Sequence, residues 1–286
     1  MNENLLINKD KTLRIIAVFA HPDDAEVKMG GTAAKFAEMG HAVKFVSLTN
    51  GDAGHHIQGG EALAKRRKAE SEEAARRLGI DEYVILDNHD AELIPSLDNR
   101  HQVIREIRNW QADVVIGLRP NDYHPDHRYA GVLVMDSAYL VVVPNVVPDV
   151  PHLEKNPVFL YMEDGFKKPN PFSPDIVVDI ETTFEKKISA LAAHGSQFFE
   201  WLPKVSCILE DVPNNPAEHR EWLVNWLNTY NAHTSHLSED IKSSMKKWYR
   251  PENTQKIRRM ESFEIAEYGH QPTDDEIRQL FPMLNK

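Results

Sequence analysis

Short, nearly continuous apolar runs alternate with amphipathic stretches along the first half of the chain. Leu13–Ala20 (LRIIAVFA) reads as a strand buried on both faces, because polar residues do not recur at every second position. Gly30-Gly31 then open GTAAKFAEMG, a short helical pattern with Gly40 as its C-terminal stop. Ala42–Leu48 (AVKFVSL) predicts a second strand that runs into the turn-rich TNGDAG. A charged helix is expected from Glu61 to Leu78, followed by Gly79. Tyr83–Leu86 predicts a third strand, Val103–Trp110 lies in a helix, and Asp113–Leu118 (DVVIGL) is a fourth strand. Beyond residue 140 the pattern loosens. The proline-rich stretch 141–157 predicts a long irregular loop, with strands at Val158–Tyr161 and Asp175–Ile180 and a helix at Glu181–Ala193. The expected fold is α/β: a Rossmann-like, open, mainly parallel sheet with helices on both faces and an irregular, helical C-terminal third. With no internal repeat and no low-complexity linker, a single domain over residues 1–286 is expected.

Two of these strands end in the same chemistry. The first runs into HPDDAE (21–26) and the fourth into RPNDYHPDH (119–127). Proline beside histidines and carboxylates suits a rigid loop that aims polar groups at one point. In an open parallel sheet, ligands bind beyond the carboxyl ends of the strands, where the strand order reverses. With the order 3-2-1-4-5, strands one and four flank that reversal, so both loops are expected to form one site from His21, Asp23, Asp24, His124, Asp126 and His127. Two imidazoles and a carboxylate, with a position left for water, make a common catalytic zinc set. The same ligands also make the facial triad of non-haem Fe(II) enzymes.

Charge and composition narrow the partners. The 286-residue chain has 44 Asp plus Glu against 33 Lys plus Arg, a formal net charge of −11, which argues against a nucleic-acid backbone as partner. Cys207 is the only cysteine, so a metal must be held by nitrogen and oxygen. The first residues carry no apolar signal region and no later stretch approaches a membrane-spanning length; a cytoplasmic location is the expectation, with homo-oligomerisation left open. No GxGxxG follows the first strand, and the carboxylates of HPDD would repel a dinucleotide pyrophosphate.

HPDDAE after a buried strand, RPNDYHPDH after a later one, and RRKAESEEAARRLG (66–79) together resemble the PIG-L/LmbE-like deacetylases. AAHGSQF (192–198) and MESFEIAEYG (260–269) add weaker similarity, so the likeness spans most of the chain. The resemblance implies a zinc-dependent hydrolase, with Fe2+ as the alternative metal, that removes the N-acetyl group of an N-acetylglucosamine-type conjugate. It implies His21, Asp24 and His127 as metal ligands and Asp23 as general base. His124 becomes the acid or oxyanion stabiliser, oriented by Asp126; Arg67 contacts substrate, and His194 is a polar position at the pocket edge. Many members read HPDDE, whereas here Ala25 intervenes, so Glu26 receives no catalytic role. A non-haem Fe(II) enzyme and a non-catalytic sugar-binding relative are the competing readings.

Other polar and aromatic residues have plainer expectations. His55 and His56 should be solvated in a loop bordering the site, and Trp201, Trp222 and Trp226 should pack in the core. His101, His152, His219, His233, His236 and His270 have no partner motif. The segment 242–259, with seven Lys/Arg and one Glu, reads as a solvated face or a subunit contact.

Overall fold

The computed structural model describes residues 11–230 and 238–284, so His233 and His236 lie outside it. The first strand, β1 (Arg14–Phe19), is buried from Ile15 onward. It is followed by α1 (Asp24–Glu38), β2 (Ala42–Ser47), α2 (Gly60–Leu78), β3 (Glu82–Ile85), α3 (Leu97–Trp110), β4 (Val114–Gly117) and α4 (Pro125–Ser137). Each expected element of this half is present, with ends shifted by a few residues. After a long connection come β5 (Val158–Met162), β6 (Ile176–Asp179) and α5 (Phe184–Leu191). Short helices α6 (Leu202–Val205), α7 (His219–Tyr230), α8 (Glu239–Trp248) and α9 (Pro251–Thr254) precede β7 (Met260–Gly269) and α10 (Asp274–Leu280).

The strands form one sheet in the order β3-β2-β1-β4-β5-β7-β6. β1 pairs in parallel with β2 on one side and β4 on the other, so the order reverses between β1 and β4. Right-handed crossovers put α1 and α2 on one face, where they pack with α5, and α3 and α4 on the other. β7 runs antiparallel between β5 and β6. Sequence patterning marked MESFEIAEYG only as a similarity, not as this strand; its acids at every third position do not match the two-residue period of a strand and hide a place between two others.

α1 begins six residues before the expected Gly30. It is kinked at Met29 (φ −142°, ψ 16°), and the arm from Gly30 onward is the part the apolar pattern reveals. Just after the kink, two amides meet a side chain of β7: Glu261 accepts from Gly31 N (3.0 Å) and Thr32 N (2.6 Å). Lys187 of α5 closes the buried cluster, 2.7 Å from Glu261. A Cβ on Gly31 would lie 2.8 Å from Ile180, so the helix and the strand-end at residue 180 approach too closely for any side chain.

The connection 141–157 is largely irregular, as expected, but it is tightly held. Arg108 of α3, fully buried, donates to the carbonyls of Leu140, Val141, Val143, Val146, Val147 and Val150. None of those carbonyls belongs to a strand ladder; those of Leu140, Val141, Val143 and Val147 also accept a backbone N–H, and the fork of five donors ties all six together. The basic segment is solvated and paired with the protein's own acids: Lys242 with Glu239, Lys247 with Asp274 and Arg259 with Glu181. No helix among the described residues is long and apolar enough to cross a membrane.

Candidate active site

Both His-Pro-Asp loops lie at the carboxyl ends of β1 and β4, on either side of the strand-order reversal. Each proline stands at or just before a helix start. In the second loop His124 is the N-cap of α4: its Nδ1 accepts from Asp126 N (3.2 Å), and Pro125 fills the first helical position, where no N–H is needed. In the first loop Asp23 precedes α1 at φ 148°, a conformation a non-glycine residue rarely adopts.

The central feature is a pair of imidazoles facing each other. His21 Nδ1 lies 3.1 Å from His127 Nε2. Behind them, His21 Nε2 meets Asp90 Oδ1 (3.1 Å) and Asp126 Oδ2 (3.3 Å), and His127 Nδ1 meets Asp122 Oδ1 (3.1 Å). When both rings are neutral and the outer nitrogens carry the protons towards Asp90, Asp126 and Asp122, the two inner nitrogens present lone pairs to each other. That contact is repulsive without a cation between them. Asp24 completes the triangle, with Oδ1 3.4 Å from His127 Nε2 and Oδ2 3.6 Å from His21 Nδ1. Ligand atoms about 2.0–2.2 Å from a tetrahedral ion stand about 3.3–3.6 Å apart, and these separations are similar, with Asp24 turning a different oxygen to each ring. The carboxylates behind both imidazoles are what metal-bound histidines ordinarily have. His124 also brings a nitrogen within 4.8 Å of those of His21 and His127, and His21 forms a second such group with Asp90 and Asp126. The latter is better read as the support of His21, because Asp126 already accepts from Ala91 N (2.7 Å) and Leu93 N (3.2 Å).

Electrostatics follow from this crowding. Burial opposes charge on His21, but Asp126, Asp24 and Asp90 outweigh it and hold the imidazole well above its usual value. Burial likewise opposes charge on His127, yet Asp24 and Asp122 carry it up to about 9. Asp24, despite burial, is held well below the carboxylate range by His127 and His21. A divalent cation would take over the role of those protons. Burial raises Asp23 to about 6 against the opposing pull of Arg67. His124 is pushed down by burial and by the neighbouring His21 and His127.

Three expectations change. Asp126 does not orient His124 through its side chain; its carboxylate backs His21, and only its backbone N–H meets His124. His194 is not at a pocket edge. It is 0% exposed, with Nε2 2.9 Å from Glu26 Oε1, and the Tyr83 hydroxyl donates to the other oxygen of Glu26. Arg67, expected to contact substrate, is 2% exposed and has its guanidinium turned onto the protein itself. It donates to Pro22 O (2.9 Å) and Gly51 O (3.2 Å), and stands 3.3 Å from Asp23 and 3.7 Å from Asp90. Gly51, at φ +70°, lies where a Cβ would strike that guanidinium at 2.6 Å.

Asp90 and Asp122 were missed from the sequence as site residues. Asp122 lies inside RPNDYHPDH, and Asp90 lies on the loop after β3, at the same sheet edge; both positions were available signals. His55 is not solvated: Glu200 binds its Nε2 (2.8 Å), and its Nδ1 accepts from Ile57 N and Gln58 N. His56 is exposed and stacks on Trp201, while Trp222 and Trp226 pack in or against the core. His219 stacks on Phe199, and His270 pairs with Glu276, away from these loops.

Residues 16–138 match the family model for GlcNAc-PI de-N-acetylase (PIG-L). Diacetylchitobiose deacetylase of Thermococcus kodakarensis is 32% identical over 199 residues, covering 65% of this chain and 71% of that one. This chain belongs to the PIG-L family. Among solved structures, N,N'-diacetylchitobiose deacetylase from Pyrococcus horikoshii shares 25% identity with a TM-score of 0.64, covering 88% of this chain and 83% of that chain. The PIG-L architecture is not confined to deacetylases. GalB, the 4-carboxy-2-hydroxymuconate hydratase of Pseudomonas putida KT2440, has a TM-score of 0.66 at 18% identity, covering 92% of this chain and 99% of that one, a likeness of fold alone. The closer similarities are to named deacetylases, and this PIG-L member is accordingly an amide hydrolase.

Proposed function

We propose that the chain is a zinc-dependent hydrolase that removes the N-acetyl group from an N-acetylglucosamine-type conjugate. The observation that carries this reading is the pair of facing imidazole nitrogens, 3.1 Å apart, with Asp24 closing the triangle. His21, Asp24 and His127 would hold the ion, and Asp90, Asp126 and Asp122 would fix the imidazole tautomers from behind. When bound, the ion supplies Lewis acidity to the amide carbonyl and lowers the pKa of water.

The remaining work falls to the chain's own side chains. Asp23, buried beside the ligand Asp24, takes the proton of the attacking water. His124 accepts a backbone N–H at Nδ1, so its neutral ring carries the proton on Nε2. From there it can donate a hydrogen bond to the developing oxyanion, while the proton that Asp23 took from water passes to the leaving amine as the C–N bond breaks. Arg67 acts through the protein rather than through substrate: bonds to the Pro22 and Gly51 carbonyls and the charge beside Asp23 hold the first loop in its strained form.

The test combines metal analysis with an amine-release assay on a panel of N-acetylglucosamine conjugates. His21→Ala, Asp24→Ala and His127→Ala should each lose most bound zinc and turnover. Full zinc occupancy in all three would overturn the ligand assignment, and no amine release from any conjugate by the zinc-loaded parent would overturn the activity.

A further inference from the structure

Beside the catalytic loops, the connection between β5 and β6 and the first turn of α8 border an open cavity of about 230 Å3, well above the roughly 30 Å3 that one water occupies in the liquid. Its lining includes Glu163, Asp164, Asp240 and Lys167, with Phe166 and Phe172. Glu163 is the unusual member. It follows the last residue of β5, is 5% exposed, and has one carboxylate oxygen bonded by the Ser262 hydroxyl. Among the described residues no ion pair reaches its carboxylate. Lys28 donates instead to the Glu163 backbone carbonyl (3.1 Å), and Lys187 is engaged by Glu261. Burial lifts Glu163 to about 7 against the pull of Ser262 and of the more distant charges on Lys28 and Lys187. Asp164 is matched by Arg119 at 3.2 Å, so the deficit is centred on Glu163.

We propose that this cavity is an ammonium-binding subsite that takes the free amine of an amino sugar. A buried carboxylate without an ion-pair partner, in a cavity also lined by two phenylalanines, suits a positive group carried on a carbon ring, through charge pairing and cation–π attraction. The choice of an amino sugar rests on the proposed function, since deacetylation liberates such an amine. Lys28, which ties α1 to Glu163, lies one helical turn beyond the ligand Asp24, so the subsite adjoins the catalytic loops. It would hold the deacetylated product or the free-amine unit of a partly deacetylated oligomer.

Calorimetric titration of the zinc-loaded protein with glucosamine and with N-acetylglucosamine tests this without turnover, so failure of the deacetylase reading and failure of the subsite are separable. Glucosamine should bind at least tenfold more weakly to Glu163→Gln and to Phe172→Ala than to the parent, and N-acetylglucosamine should be insensitive to both changes. Phe172 is half-buried at the cavity wall, so its variant remains informative if Glu163→Gln folds poorly. Equal glucosamine affinity in the parent and both variants, or no glucosamine binding to the parent, would overturn the subsite. So would heat that persists in Glu163→Gln and vanishes in His21→Ala, because that binding belongs to the metal centre.

Discussion

Asp23 is placed under strain and out of water at once: φ is 148°, and burial raises its carboxyl to about 6 from the ordinary 3.8. That gap corresponds to about 3 kcal/mol. Because the folded value is the higher one, the stability linked to Asp23 is fully present below pH 3.8 and lost as pH rises through about 6. Metal-free Asp23→Asn should therefore melt at a higher temperature than the metal-free parent at pH 7, while the zinc-loaded variant turns over roughly 10²-fold or more slowly with its metal retained. Calorimetry, metal analysis and amine release check the three parts. Retained turnover would remove Asp23 as the base. The buried pair behind it has the same linkage sign but an opposite origin. Burial alone would push His194 down, yet Glu26 at 2.9 Å raises it above 6.5. Its contribution is fully present below pH 6.5 and disappears as pH rises through the raised folded value. Glu26→Gln should thus cost about 3 kcal/mol near pH 6, with the deficit narrowing towards alkaline pH. Melting curves of parent and variant across that range would show it, and a deficit independent of pH would contradict a charged His194.

At the scale of elements, α1 depends on a residue from the far end of the chain. Just after the kink at Met29, Glu261 accepts from the Gly31 and Thr32 amides while pairing with Lys187. Glu261→Ala removes the acceptor of two buried N–H groups and strands a buried ammonium. The expected cost is about 3–5 kcal/mol, read as a lowered urea midpoint. Asp24 opens this same helix, so zinc affinity should fall with it. A variant with the parent's midpoint would mean that the kink is satisfied some other way.

For the whole molecule, the position of β7 decides the domain organisation. It is hydrogen-bonded to β5 and β6 on its two sides, and its Phe263 is fully buried. We propose one cooperative unit, since no cut in the chain separates two complete sheets. Scanning calorimetry should show a single transition. Truncation before Met260 should give an insoluble or unfolded product, because it bares one edge of β5 and removes the partner of β6. Two resolved transitions, or a folded truncated chain, would contradict a single domain.

The parallel half of the sheet and the meeting of the two His-Pro-Asp loops were legible from sequence because their signals are local. Apolar runs mark buried strands, glycines mark helix ends, and the switch-point rule converts strand order into a place for the site. His21, Asp24 and His127 come together for that reason. Partners brought in by long-range packing left no such mark. Asp126 looks like the support of its neighbour His124, but the carboxylate turns to His21, because α4 starts with the His124 side chain already occupied by a backbone amide. Arg67 reads as a substrate contact and His194 as a pocket-edge position, whereas the tertiary structure buries both, one behind the first loop and one against Glu26. β7 and Glu261 were equally hidden, since a strand's neighbours and a helix kink's acceptor are settled by contacts between opposite ends of the chain. Sequence determines which segments are apolar and which loops carry chemistry; which charge faces which is decided only when packing removes water and leaves each buried polar group a few possible partners.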